Sequence, residues 1–265
     1  MTRYLAVVGF LILPAFGQVS SESGSRDGDE RPARRQFGPI RDRVDHADGT
    51  AASSNWSGYA VTGSNFTTAR GSWVVPAATC SSGYQYSAFW VGIDGFGTTT
   101  VEQTGTSSDC SGKTPVYYAW YEFYPQGAVE IRRVPVKPGD VISASVVYNG
   151  TAFTVKIADV TTGTSFSKTS PVAGAQRGSA EWIAEAPSNG FSILPLANFG
   201  TALFGRDSTA VKATSSAVDS STRGPLGNFG TSTRIYMENA SGVYKAIPSA
   251  VSTDGTSFSV AWAHN

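Results

Sequence analysis

The chain has 265 residues, with 20 basic and 20 acidic side chains and a formal net charge of zero. That balance argues against a nucleic-acid-binding protein, because such proteins carry a basic surface that contacts phosphates. The chain has only two cysteines and two histidines. His46 lies in a charged leader and His264 is next to last. A Ser-His-Asp triad, a histidine-rich metal site and a cysteine-ligated zinc site are therefore implausible, and we expect no metal and no cofactor.

The N-terminus has the composition of a secretion signal. Arg3 gives a positive start, and the apolar run of residues 4–16 follows it. That run is shorter than the roughly 17–25 residues of a membrane-spanning helix, and small residues near Gly17 offer a cleavage site. A retained membrane anchor is the less favoured alternative. We predict a signal peptide over residues 1–17 and a secreted, extracellular protein that has no membrane contact once the signal is removed.

Residues 18–50 differ in composition from the rest of the chain. They contain six arginines and seven acidic residues, and Phe37 and Ile40 are almost the only apolar side chains in their later part. Such a segment cannot bury enough surface to fold alone, so we expect it to be mostly disordered. It is either a pro-segment, processed at Arg34-Arg35 or near Ala51, or a plain linker. Residues 51–265 then form one domain that is large enough for a substantial core.

Alternation of apolar residues with period two recurs along residues 51–265, which is typical of antiparallel strands. Clear examples are residues 89–94, 141–148, 153–157 and 258–262. Asn149-Gly150 is a dipeptide favoured in two-residue hairpin turns. No stretch of twelve residues has a helical period. The sequence therefore predicts an all-β sandwich or barrel.

Cys80 and Cys110 lie thirty residues apart, both in loop-like sequence. In an oxidising compartment a disulfide is the default for such a pair. Closing a loop of that length could add about 3–4 kcal/mol of stability. We predict a Cys80–Cys110 disulfide, the alternative being two unpaired buried thiols.

Three segments place acids or amides among aromatic residues. In residues 117–125, alternation puts Tyr118, Trp120, Glu122 and Tyr124 on one face of a strand. A carboxylate between aromatic rings marks either a ligand-binding groove or a buried, hydrogen-bonded structural acid. The same pattern would suit sugar binding.

The other two segments each offer an acid or an amide on a defined face. Alternation puts Gln103 on the face opposite Glu102, and it puts Glu181, Ile183 and Glu185 on one face. Polar residues on the solvent face of an antiparallel sheet are common. The pattern alone therefore leaves open whether these residues are catalytic.

Five sequence blocks resemble the glutamic peptidases, also called eqolisins or peptidase family G1. They are residues 54–58 (SNWSG), 90–95 (WVGIDG), 102–105 (EQTG), 118–125 (YAWYEFYP) and 180–185 (AEWIAE). The resemblance runs from about Ser54 to the C-terminus. Each block alone is modest evidence, and the five in the family's order with similar spacing are strong evidence. Phe123 and Ala184 depart from the commoner residues of the family, and both replacements are apolar.

The resemblance implies a sandwich of two curved antiparallel sheets, a lectin-like jelly roll, that cleaves peptide or protein substrates. It places the family's catalytic pair on Gln103 and Glu185, and not on Glu181. Trp90, Asp94 and Glu122 match residues that line the family's groove. The family is made with a pro-segment, which favours that interpretation of residues 18–50. Members are often strongly acidic, whereas residues 51–265 carry thirteen basic and thirteen acidic side chains.

A glutamine and a glutamate can together hydrolyse a peptide bond without a covalent intermediate. The Glu185 carboxylate can take a proton from water, while the Gln103 amide holds the water and donates to the oxyanion. A carboxyl group with a pKa near about 4.3 works best around that pH, so an acid-acting endopeptidase is expected. We expect a monomer.

The alternative is a carbohydrate-binding or glycoside-hydrolysing sandwich. A glycosidase needs two carboxylates at a fixed separation. About 13 Å of strand rise separates Glu181 from Glu185, which is longer than either glycosidase spacing. A second carboxylate supplied by another strand is not excluded by this spacing.

The arginines of residues 18–50 suggest how a pro-segment would be held. We expect Arg31, Arg34 and Arg35 and the pair Arg41 and Arg43 to dock on the acids of the groove, which are Asp94, Glu122 and Glu185. Acid would protonate the carboxylates while arginine keeps its charge. Acid-triggered release and a cleavage between Arg43 and Ser54 would follow.

Overall fold

The computed structural model describes residues 30–33 and 35–264, so the predicted signal peptide and Arg34 lie outside the described residues. Among the described residues, no helix is long and apolar enough to cross a membrane. The only helical elements there are α1 (Arg206–Thr209) and a 3-10 turn (Leu226–Asn228). The strands are β1 (Glu30–Pro32), β2 (Val44–Asp45), β3 (Thr50–Ser53), β4 (Trp56–Thr62), β5 (Thr68–Val74), β6 (Tyr84–Gln85), β7 (Ala88–Ile93), β8 (Val101–Ser111), β9 (Thr114–Tyr124), β10 (Val129–Ile131), β11 (Val141–Tyr148), β12 (Phe153–Asp159), β13 (Thr164–Ser170), β14 (Ser179–Glu185), β15 (Thr201–Gly205), β16 (Ser216–Val218), β17 (Arg223–Pro225), β18 (Ser232–Glu238), β19 (Tyr244–Pro248) and β20 (Ser257–Trp262).

The strands form two antiparallel layers. The first layer has the spatial order β10-β9-β8-β7-β14-β4-β18. The second has the order β13-β12-β11-β5-β15-β20-β19. Strands β18 and β19 pair with each other and join the layers, and β3 adds a parallel pairing to β18. The predicted all-β sandwich is confirmed.

Side chains at alternate strand positions fill the space between the two layers. Phe89, Val91 and Ile93 of β7 point inward and belong to the same buried cluster as Ile142 and Val146 of β11. The neighbouring residues of β7 point to the other face of the first layer. This alternation gives the first layer a second, independent surface, and that surface carries the candidate site.

The hairpin between β11 and β12 differs from the predicted two-residue turn. Tyr148 and Phe153 form its last pair, so the loop has four residues. The Asn149 side-chain oxygen accepts hydrogen bonds from the backbone N–H groups of Thr151 and Ala152. An asparagine that bonds its own backbone two and three residues ahead stabilises this longer loop.

Cys80 and Cys110 form the predicted disulfide. Cys110 does not lie in a loop, as its sequence suggested, but in the long strand β8, opposite Pro115 of β9. Serines and an aspartate give this end of β8 the composition of a loop. Ser107, Ser108 and Asp109 are buried there. Ser108 Oγ donates to the Pro76 carbonyl oxygen, and Asp109, on the opposite face of the strand, pairs with Arg35.

Residues 30–33 and 35–50 are ordered against the sandwich, which differs from the expected disorder of this segment. Strand β1 pairs with β10 at the edge of the first layer, and β2 pairs with β3. Phe37 is completely buried. The segment cannot fold alone, but it gains strand partners and an apolar contact by binding to the domain that follows it.

Candidate active site

A second cluster of buried side chains covers the face of the first layer that points away from the core, which we call the groove face. It includes Trp56, Trp90, Trp120 and Phe37. Trp90 and Trp120 lie on either side of Gly105 in the strand register. A Cβ atom at Gly105 would lie 2.6 Å from Trp90 Cβ and 2.9 Å from Trp120 Cζ2. The glycine therefore allows the two indole rings to approach each other.

Gln103 and Glu122 face each other across β8 and β9 on this surface. Gln103 Nε2 donates a hydrogen bond to Glu122 Oε2 at 2.8 Å. It also donates to the backbone carbonyl oxygen of Phe37. The Phe37 N–H donates to Glu122 Oε2 at 3.2 Å. The amide and the carboxyl group thus hold both backbone polar groups of one residue of the N-terminal segment.

The Phe37 side chain fixes the segment further. Its ring stacks on Trp120 with 3.8 Å between centroids and 15° between planes. The next residue, Gly38, lies so close to Tyr124 that a Cβ atom there would be 3.3 Å from the tyrosine ring. The peptide bond between Phe37 and Gly38 therefore has its carbonyl oxygen at the Gln103 amide.

Glu185, at the end of β14, is held by two side-chain donors. Trp90 Nε1 donates to its Oε2 at 2.7 Å, and Asn55 Nδ2 approaches its Oε1 at 3.4 Å. Burial raises the pKa of Glu185 well above its ordinary value, and the Trp90 and Asn55 hydrogen bonds and the Arg41 charge oppose that rise. Burial also raises the pKa of Glu122, and the nearby charge of Glu185 raises it further.

Asp94 occupies a different place from the groove residues. It is completely buried, and its carboxylate accepts hydrogen bonds from the backbone N–H groups of Gln176, Arg177 and Gly178 at 2.8–2.9 Å. Its charge raises the pKa values of Glu102 and Glu181. The Asp94 carboxylate thus holds the loop of residues 176–178. The groove face instead carries Trp90, Trp120, Glu122 and Tyr118.

Residues 54–261 match the model of the Peptidase A4 family. The chain belongs to the Peptidase A4 family. It is therefore an enzyme of the glutamic peptidase (eqolisin) type, a hydrolase, as the five sequence blocks implied. The family match spans strands β4 to β20 almost completely, so it includes every residue of the sandwich that is described above as facing the groove.

Two curated relatives and one solved structure illustrate the family similarity. Aspergillopepsin-2 of Aspergillus niger is 31% identical over 199 residues, which are 65% of this chain and 67% of that protein. Scytalidopepsin B of Scytalidium lignicola is 36% identical over 117 residues, which are 43% of this chain and 44% of that protein. A crystal structure of scytalido-glutamic peptidase with a transition state analog inhibitor superposes with a TM-score of 0.66 at 27% identity, covering 79% of this chain and 98% of that one.

In this family member, Arg35 anchors the segment on the other side of Phe37. Its Nη1 donates to the Tyr118 hydroxyl at 2.7 Å and lies 2.9 Å from Asp109 Oδ2. The guanidinium stacks 3.9 Å above the centre of the Tyr86 ring. Burial raises the pKa of Asp109 to about 6, and the Arg35 charge opposes the rise. A cavity of about 670 Å³ adjoins this contact.

The described arginines of the segment, which do not include Arg34, therefore form no ion pair with the acids expected from sequence. Arg31 pairs with Glu130, and Arg35 pairs with Asp109. Asp94 cannot receive an arginine because backbone N–H groups fill its carboxylate. The Glu122 oxygen that faces the segment is taken by Gln103 and the Phe37 backbone. Among the described arginines of the segment, Arg41 acts on one of the expected acids, since its charge opposes the rise in the pKa of Glu185.

Sequence reasoning missed Asp109 and Asn55. Period-two alternation from Gln103 puts Asp109 on the same face of β8, but the residues around Cys110 had the composition of a loop. Asn55 lies inside the 54–58 block, beside Trp56, which was the only signal for it. No group of three or more His, Cys, Asp and Glu side chains in residues 30–33 and 35–264 could hold a metal ion.

Proposed function

We propose that the chain is a secreted, acid-acting endopeptidase in which Gln103 and Glu185 activate a water molecule against a peptide carbonyl. The observation that carries this proposal is the Phe37 carbonyl oxygen, which accepts a hydrogen bond from Gln103 Nε2 in the aromatic groove. Family membership favours this activity over the carbohydrate-binding or glycoside-hydrolysing alternative. The substrate is a peptide or protein chain bound in place of the segment, and the expected monomer needs no partner subunit for this chemistry.

Each residue then has a defined part in the reaction. Glu185 takes a proton from water, and the water oxygen adds to the carbonyl carbon. Gln103 Nε2 donates to the oxygen that becomes negative, while Glu122 keeps the amide oriented. Glu185 returns the proton to the nitrogen as the carbon–nitrogen bond breaks. The products are a carboxylic acid and an amine, and no covalent enzyme intermediate forms.

The two carboxyl groups support chemistry in acid. A general base must be ionised, and burial is the largest cause of the raised pKa of Glu185. Departure of the segment admits water and removes part of that desolvation. The charge of Glu185 raises the pKa of Glu122, so ionisation of Glu185 favours the protonated form of Glu122. Neighbouring carboxyl groups with separated pKa values are a common arrangement in acid–base catalysis.

Residues 18–50 are proposed to be a pro-segment that blocks the groove. Its described part covers Trp120, Gln103 and Glu122 through Phe37. Acid weakens its hold when Asp109 gains a proton and loses its attraction for Arg35. A cut between Arg43 and Ser54 would have to precede β3, because Ala51 and Ala52 are buried in that strand.

Secretion remains part of the proposal. The signal-like residues 1–17 lie outside the described residues. The Cys80–Cys110 disulfide supports an oxidising compartment, since such bonds are rare in the cytosol.

The test is an acid proteolysis assay on denatured haemoglobin between pH 3 and 5, with a β-glucan as the competing substrate. The wild type should cleave the protein and leave the glucan intact, and Glu185→Gln should lose most of the activity with an unchanged circular dichroism spectrum. Release of sugar by the wild type, or near-normal proteolysis by the variant, would reject the proposal.

A further inference from the structure

Asn55 is the side chain that contacts both the Glu185 carboxylate and the backbone of the bound segment. It lies in the short connection between β3 and β4 and is 2% exposed. Its Nδ2 is 3.4 Å from Glu185 Oε1 and 3.3 Å from the Pro39 carbonyl oxygen. Its Oδ1 accepts a hydrogen bond from the Arg41 N–H at 2.8 Å.

The orientation of the Asn55 amide is fixed by its surroundings. The Arg41 N–H, which can only donate, lies 2.8 Å from Asn55 Oδ1 in line with a hydrogen bond. A backbone donor at that atom identifies it as the amide oxygen, so the NH₂ group must face Glu185 and Pro39. The backbone also holds the residue, because the Ala186 N–H donates to the Asn55 carbonyl oxygen at 2.8 Å. This bond ties Asn55 to the residue that follows Glu185.

Asn55 contacts the segment on the C-terminal side of the Phe37–Gly38 peptide bond, whose carbonyl oxygen accepts a hydrogen bond from Gln103. Pro39 is two residues after Phe37, and Arg41 is four residues after it. Both contacts use backbone atoms, so they would form with any sequence at those positions. A substrate chain bound like the segment would offer the same carbonyl and N–H groups.

We propose that Asn55 is a positioning residue with two tasks. Its side-chain amide binds the substrate backbone on the C-terminal side of the cleaved bond, and the same amide orients the Glu185 carboxylate. The inference rests on the proposed peptidase function. A substrate long enough to reach Asn55 fixes the amide in place, and the fixed amide then presents its N–H group to Glu185. Binding after the cleaved bond is thereby coupled to the general base.

The proposal predicts a dependence on substrate length and on pH. Loss of one hydrogen bond to an ionised carboxylate disfavours the charged form, so removing the Asn55 amide should raise the pKa of Glu185. The acid limb of the kcat/KM profile should then move to higher pH. Loss of the backbone grip should matter only for substrates that extend as far as the position of Arg41.

The test compares Asn55→Ala, Asn55→Asp and the control Ser54→Ala in the acid-activated enzyme. Ser54 is adjacent, and its hydroxyl donates to Asp42 without touching Glu185. Two peptides of identical sequence are used, one ending two residues after the cleaved bond and one ending five residues after it. The wild type and Ser54→Ala should prefer the longer peptide in kcat/KM by about three- to tenfold.

Asn55→Ala should lose that preference, lower kcat and shift the acid limb upward. Asn55→Asp keeps an acceptor for the backbone N–H, so it should retain part of the length preference while still shifting the acid limb. An Asn55→Ala enzyme with an unchanged length preference and an unchanged acid limb would overturn the proposal.

A second measurement does not depend on activity. Amide hydrogen exchange at Arg41 is followed at pH 7 in the full precursor carrying Glu185→Gln, with and without Asn55→Ala. The Arg41 amide should exchange several-fold faster when Asn55 is absent. Unchanged exchange would refute the backbone grip. If the wild type cleaves no peptide, and Asn55→Ala still makes the Arg41 amide of the precursor exchange faster, the peptidase function is refuted. The contact between Asn55 and the segment backbone would then stand.

Discussion

Glu181 and Glu185 lie four residues apart on the same face of β14, yet their surroundings differ. Glu185 receives hydrogen bonds from Trp90 and Asn55, and its charge acts on Glu122 in the groove. Neither carboxylate oxygen of Glu181 has a hydrogen-bond partner among the described residues. Its pKa is raised by burial and by the charges of Asp94 and Glu102. Both side chains are buried, but only Glu185 has hydrogen-bond donors. We call Glu181 and Glu102, whose carboxylate oxygens have no hydrogen-bond partner among the described residues, the enclosed acids.

The strand register makes this difference informative. Gln103 is in line with Glu181 across Gly92, and not with Glu185. Proximity in the sheet would therefore have favoured Glu181 as the catalytic partner. Neighbouring donors, a neighbouring acid of the groove and the charge of Arg41 in the bound segment favour Glu185. We infer that Glu185 serves chemistry and that Glu181 makes stability depend on pH.

The largest effect is expected when the amide of the groove is removed. Gln103→Ala should lower kcat on the order of 10²–10³-fold, because an oxyanion donor is lost. Glu102→Gln is the matched control, since it changes the adjacent residue on the opposite face of β8 and should leave kcat within about twofold of wild type by that reasoning. Steady-state kinetics at pH 4 measures both. Equal kcat values for Gln103→Ala and wild type would remove Gln103 from the mechanism.

The enclosed acids should make the fold less stable as the pH rises. Burial and the Asp94 charge raise the pKa of Glu102 to about 9, and the pKa of Glu181 is also raised. The folded chain therefore keeps protons that the unfolded chain loses above about pH 4.5. Each such group lowers the free energy of unfolding by about 1.4 kcal/mol per pH unit in that interval.

Urea unfolding between pH 4 and 8 measures this slope. Glu181→Gln and Glu102→Gln should each flatten it, whereas Glu238→Gln, a half-buried glutamate of β18, should leave it unchanged. A wild type that becomes more stable from pH 5 to pH 8 would contradict the assignment of the enclosed acids.

A smaller effect is expected at the anchor of the segment. Asp109→Asn removes the charge partner of Arg35 but leaves the Tyr118 contact. Loss of one charged hydrogen bond weakens the binding of the segment by about 1–2 kcal/mol. The precursor should therefore activate about tenfold faster at pH 7, where the wild-type Asp109, with its pKa of about 6, is ionised. Glu130→Gln, which removes the partner of the more exposed Arg31, should activate at the wild-type rate. Mass spectrometry of the precursor follows both, and identical rates would show that Asp109 is not the anchor.

The sequence predicted the faces of the strands better than the contacts of the segment. Alternation correctly put Trp120 and Glu122 on one face, and Gln103 opposite Glu102, because the period of a strand depends on local geometry alone. The burial of Phe37 against Trp120 could not be predicted. It depends on a long-range fit between a segment with few apolar residues and a surface formed by other strands. Asp94 was assigned to the groove by resemblance, and only the positions of residues 176–178 reveal its other partners.

The most direct test gives the same substitution to the two acids of β14. Glu181→Gln and Glu185→Gln are assayed side by side on denatured haemoglobin at pH 4, at matched concentrations of folded, acid-activated protein. The account predicts that Glu185→Gln loses activity by at least about 10²-fold, while Glu181→Gln stays within a few-fold of wild type. An inactive Glu181→Gln beside an active Glu185→Gln would contradict it.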